Sequence, residues 1–147
     1  MARFILETDY QMQIKQEIIR ILTAQDFYIS AKLVRAEQTA IRQIYNRISK
    51  RYDCDKIFTP VIPGDPDGRD QWIVTITIDI ALYHLYSQTG MKDIPQHRQD
   101  RYQDALDWLK DVGNGNTIPD LPPIVDEDGN EYSESLINSR PQENQRW

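Results

Sequence analysis

Apolar positions recur at helical spacing along most of the chain up to Val112. Tyr10, Ile14, Ile18, Ile21 and Leu22 fall on one stripe and predict a first helix from Thr8 to about Thr23. Its start is read from Thr8-Asp9-Tyr10-Gln11, a Thr followed three residues later by Gln, as in a capping box where side chains satisfy free amides. A second helix is predicted from the Asp26 to Ser30 region to about Tyr52. Leu33, Ala36, Ala40, Ile41, Ile44, Tyr45 and Ile48 form its apolar face, interrupted by Arg42, Gln43, Asn46 and Arg47. Between Asp53 and Asp70, Pro60, Pro63, Gly64, Pro66 and Gly68 forbid a regular helix and predict a loop.

The segment Gln71 to Thr89 supports two patterns at once. Val74, Ile76, Ile78 and Ile80 alternate with Thr75, Thr77 and Asp79, which is strand spacing with β-branched content to match. Ile73, Ile76, Ile80, Tyr83 and His84 equally share a helical face. The run continues unbroken to Gly90, far longer than the ~5 or 6 residues of an ordinary strand, so the predicted element is a buried helix. A further helix starts at Pro95, a residue suited to a first turn, and carries Tyr102, Ala105, Leu106, Leu109 and Val112 before Gly113 offers a stop. Beyond it, Pro119, Pro122 and Pro123 favour extended chain. Ile124-Val125 and Glu131-Tyr132 flank Asp126-Glu127-Asp128-Gly129-Asn130, which suits a short β-hairpin. The expectation is all-α: a small four-helix domain over residues 1–118 and an extended acidic tail over 119–147, in which the hairpin is the one candidate for β structure.

Composition sharpens this picture in two respects. With 17 Lys+Arg against 23 Asp+Glu, the chain lacks the basic excess of a dedicated nucleic-acid binder. The imbalance is also local. Residues 119–147 hold the acids Asp120, Asp126, Glu127, Asp128, Glu131, Glu134 and Glu143 but only Arg140 and Arg146 as bases, while the rest of the chain is near neutral. An acidic segment poor in apolar residues has no core of its own and needs a partner to become ordered. No uninterrupted apolar run approaches the ~18 residues that span a bilayer, and Met1 to Thr8 lacks the features of a signal peptide, so a soluble intracellular protein without a membrane partner is expected.

Candidate chemistry is sparse. A single cysteine, Cys54, rules out an internal disulfide framework and, with only His84 and His97 beside it, leaves no zinc site of the usual Cys/His type. Cys54 reads as a small, buried, inert residue. Asp126, Asp128 and Asn130 begin like a calcium loop, but Gly129 stands at the fourth position where the sixth is required, so an exposed turn is the preferred reading. Asp65 and Asp67 read as a solvated turn in the same way. His84 lies five residues from Asp79, out of register for a carboxylate–histidine pair, and reads as a core or interface histidine. No phosphate loop, Gly-x-Ser-x-Gly or His-Glu-x-x-His occurs, and the expectation is no enzyme, no metal and no cofactor.

Three blocks carry a resemblance instead. The run Ile44-Tyr45-Asn46-Arg47-Ile48-Ser49-Lys50-Arg51-Tyr52-Asp53 resembles the end of the second helix in the Mu-like head-tail joining proteins of tailed phages. Asp79-Ile80-Ala81-Leu82-Tyr83-His84-Leu85 looks like their middle helix. Arg101-Tyr102-Gln103-Asp104-Ala105-Leu106-Asp107-Trp108-Leu109-Lys110-Asp111 resembles their most distinctive block, and the likeness in order and spacing runs from Thr8 to about Leu121. The resemblance implies a structural head-completion or connector protein at the head-tail junction of the virion. Its partners would be further copies of itself in a ring, commonly twelve, the portal protein, and a tail or second adaptor protein, with room for DNA to pass through the ring.

For such a subunit the expected interface residues are Arg51, Tyr52, Arg101 and Tyr102, because Arg and aromatic residues are enriched at interface hot spots. Ordinary core packing with an exposed guanidinium explains the same four equally well. In the tail, Ile124, Tyr132, Ile137 and Trp147 are the apolar groups suited to anchoring an added strand on a neighbour. The alternative reading is a helical protein–protein interaction module with a disordered tail and no place in a virion.

Overall fold

The computed structural model describes residues 3–15, 31–88 and 94–129. Among these the fold is all-α: α1 (Glu7–Gln13), α2 (Ala31–Ile48), a single turn α3 (Cys54–Ile57), α4 (Gln71–Gln88) and α5 (Gln96–Asn114). The three long helices pack against one another in pairs. Their shared core includes Leu33, Ala36, Ala40, Ile44 and Ile48 of α2, Ala105, Leu109 and Val112 of α5, and most of α4.

The helical reading of this segment holds from Gln71 to Gln88, Thr89 lying outside the described residues, and the structure explains its strand-like alternation. Every residue from Ile76 to Leu82 is buried, nearly two consecutive turns. A helix enclosed on all sides has no polar stripe to reveal its period. Even the polar Thr77 is accommodated, its hydroxyl donating to the Ile73 carbonyl at 2.6 Å.

Several boundaries differ from the sequence expectation, each for a local reason. Helix α1 starts ahead of Thr8, and Asp9 rather than Thr8 makes the capping contact, its Oδ2 accepting from the Leu6 amide at 2.7 Å. The helix stops at Gln13, with Ile14 in extended conformation, and the Gln13 carbonyl accepts from Arg98 Nη2 at 3.1 Å. A guanidinium on a free helix carbonyl is a favourable terminus. The predicted continuation through Ile18, Ile21 and Leu22 lies outside the described residues.

Helix α2 ends at Ile48 rather than near Tyr52. The next residues turn to pair with chain from beyond α5: Asp53 N donates to Pro122 O at 2.8 Å and Ile124 N to Arg51 O at 3.2 Å, around an isolated antiparallel bridge between Tyr52 and Pro123. The predicted loop contains the turn α3, started by Asp53, whose Oδ1 accepts from Lys56 N at 3.3 Å. Helix α5 runs past Gly113 and stops at Gly115, which has φ 81°. Gly115 N donates to Val112 O and Asn116 N to Asp111 O, at 3.2 and 2.9 Å, the paired closure that a left-handed glycine permits. Gly113 instead serves packing, since a Cβ there would sit 2.9 Å from the Arg47 carbonyl oxygen of α2.

Two buried ion groups fasten the N-terminal segment to this body. Glu37 of α2 accepts from the Tyr10 hydroxyl at 2.5 Å and pairs with Arg3, while burial pushes its carboxyl above the ordinary range. Arg69, just before α4, donates to the Phe4 carbonyl at 2.7 Å and to both Asp9 oxygens at 2.6 and 3.1 Å. Its remaining donors reach Asp67 at 2.8 and 2.9 Å, and those bonds hold the Asp67 carboxyl well below the usual range.

Candidate interaction surface

The sequence-predicted positions 51, 52 and 124 meet at one place. Tyr52 is a core residue, packed where the 121–124 segment crosses the end of α2. Arg51 is half-buried, and its Nε donates to the Gly113 carbonyl at 3.1 Å while its own carbonyl takes the Ile124 amide. Leu121 is buried beside them at 8% exposure, so this stretch is laid on the helical body. It then turns outward at Asp126, where Gly129 N donates to Asp126 O at 3.0 Å. Tyr132, Ile137 and Trp147, and the return arm of the predicted hairpin, lie outside the described residues.

The other pair, Arg101 and Tyr102, sits on the seam between α4 and α5. Arg101 Nε donates to Asp79 Oδ1 at 2.9 Å, leaving the guanidinium half exposed. Arg98 approaches the same oxygen at 3.5 Å from the buried side. Burial raises the Asp79 carboxyl above its ordinary value, and the two arginines pull in the opposite direction. Tyr102 stacks flat on Tyr83, centroids 3.8 Å apart, and meets the edge of His84. Gln43 of α2 completes the group, donating to the Tyr102 hydroxyl at 3.2 Å and accepting from His84 Nε2 at 3.0 Å. His84 thus partners Gln43 and Tyr102, and Asp79 serves the arginines. Burial alone lowers the imidazole from its ordinary 6.5. Cys54 is buried, its thiol pushed up to about 11 by burial first and then by Asp53 and Asp55.

Sequence reasoning overlooked Arg98 and Gln43. The signal was present for the first: Asp79 is the lone charge inside an apolar run, and a buried carboxylate requires a cation. It also overlooked the exposed Trp72, which meets Trp108 edge to face at 5.9 Å across α4 and α5. These arrangements hold helices together and leave Arg101 and Trp72 exposed at the surface.

Residues 68–133, somewhat under half the chain, match a family model described as Bacteriophage Mu, Gp36. The matched stretch takes in α4, α5, the 121–124 segment and the Asp126 turn, so this part of the chain is similar to a phage protein family. No curated protein and no solved structure matches the chain. Among the described residues no helix is long and apolar enough to cross a membrane.

Proposed function

We propose that this chain is a structural virion protein, a subunit of the ring that connects a phage head to its tail. The observation that carries the reading is the match of residues 68–133 to a phage family, because it falls on the α4–α5 pair bearing the Arg101 to Asp111 block. The fold supports the same role. Its buried charges, Asp79 and Arg98 with Arg101 at the edge, are spent on fastening helices, and among the described residues the outward sides of α2 and α5 are exposed and able to meet other proteins. On this reading the portal lies on one side of the ring and a tail or second adaptor protein on the other, and the chain performs no catalysis.

Particles assembled with and without the gene test this. Mass spectrometry of purified particles is expected to find the protein, and its deletion is expected to yield filled heads and free tails that do not join. Normal particles in its absence, or particles that lack it, would overturn the reading.

A further inference from the structure

The outer faces of α2 and α5 carry opposite charge. On α5, Asp100, Asp104, Asp107 and Asp111 are all exposed, and their spacing of four, three and four places them within roughly 60° of one another at 3.6 residues per turn. That wedge points away from Ala105, Leu109 and Val112, which face the core. On α2, Lys32, Arg35 and Arg42 share a similar exposed wedge with Thr39 and Asn46, opposite Leu33, Ala40 and Ile44. Arg35, Gln38, Thr39, Arg42, Gln43 and Asn46 line a shallow groove there. The one acid of α2, Glu37, is turned inward to Tyr10 and Arg3.

Among the described residues, neither face is neutralised by an ion pair. The ion pairs of Arg3, Lys56, Arg69, Arg98 and Arg101 with their carboxylate partners use none of Lys32, Arg35, Arg42 or the four aspartates. The faces also lie on two different helices, each directed away from the shared core.

We propose that copies of this chain associate head to tail, the basic face of α2 on one copy against the acidic face of α5 on the next. Two different patches meeting in this way make a heterologous contact, which leaves a free patch at each end and so grows past a dimer. A second copy is the occupant to which the charges point, because each face finds its complement on the same molecule. The proposal deepens the ring reading and rests on it for closure alone. Like-charged faces on neighbouring particles would repel, and the contact weakens as salt rises, since charges are screened beyond ~10 Å at 0.1 M salt.

A charge exchange tests it with the full-length chain. One variant carries Asp100→Lys, Asp104→Lys, Asp107→Lys and Asp111→Lys, which makes both faces basic. The other carries Lys32→Glu, Arg35→Glu and Arg42→Glu, which makes both acidic. Circular dichroism and thermal melting check that both remain folded. In sedimentation velocity at low salt, the wild type is expected to form species beyond a dimer. Each variant alone should stay monomeric, and an equal mixture should recover the wild-type series, because every contact in it again joins opposite charges. Three outcomes would overturn the proposal: an equal mixture no more associated than its components, a wild type that stays monomeric or stops at a dimer, or loss of association in the acidic variant alone. The last would place some other acidic partner on α2. Recovery in the mixture by a protein absent from virions would keep the contact and remove the connector reading; virion incorporation without recovery would do the reverse.

Discussion

Helices α4 and α5 have almost the same length, 18 and 19 residues, yet they use their side chains in opposite ways. Helix α4 buries eleven, among them an unbroken run from Ile76 to Leu82, and its identity is fixed by what surrounds it. Helix α5 buries Arg98, Ala105, Leu109 and Val112 and leaves its aspartates in water. One helix therefore lies almost wholly in the core, and the other is divided between a buried side and an acidic side in solvent. Substitutions on the first should be felt in unfolding, and those on the second in association.

The sharpest test of this division is Ile76→Asp. Ile76 is 1% exposed, and an unpaired carboxylate there is expected to cost more than about 4 kcal/mol, enough to unfold a domain of ordinary stability. Loss of helical circular dichroism at room temperature would show it; a folded variant with a melting point near wild type would break the comparison. Next comes the seam between the two helices. Asp79→Asn keeps the size of the side chain but leaves Arg98 buried without its counter-charge, and about 3 kcal/mol of destabilisation in urea unfolding is expected. The smallest effect belongs to His84. Burial lowers its folded pKa, so its contribution to stability is present above about 6.5 and is lost as the pH falls, when the unfolded chain takes up the proton more readily. The ring is only partly buried, so a fraction of a kcal/mol is expected. Between pH 7 and pH 5 the wild type should lose more stability than His84→Gln, and equal losses would remove His84 as the cause. Asp79 and Glu37, whose carboxyls are raised, act with opposite sign in both proteins, which is why the difference between the two is the quantity to read.

How much of this was legible in the sequence follows the same division. The faces of α2 and α5 were readable because water on one side and core on the other impose the helical period. Helix α4 could be settled only by length, since its Val-Ile-Thr alternation fits a strand as well as a helix buried all round. Helix ends were the least legible feature. Whether α2 stopped at Ile48 or at Tyr52 depended on Pro122 and Ile124, some seventy residues away, and no local signal near Tyr52 reports that pairing. The Asp79 cluster was readable in outline, as a charge needing a partner, but the choice of Arg98 and Arg101 over His84 required the register of α4 against α5. Tyr52 shows the limit of composition arguments: an aromatic of the type common at interfaces is here part of the core.

The Arg69 clamp has a consequence for engineering. With its guanidinium fixed to Phe4 and Asp9, and with α3 held at the other end by Asp53 against Pro122, the intervening stretch from Ile62 to Gly68 is exposed throughout, and open space surrounds the Cβ positions of Gly64 and Gly68. Lengthening a loop whose two ends are already pinned costs little, about 0.6 kcal/mol for each doubling. A peptide epitope or a small fluorescent label inserted at this point would hang from the surface without disturbing the helices, and would give each subunit a visible handle by which its position in a larger assembly could be mapped.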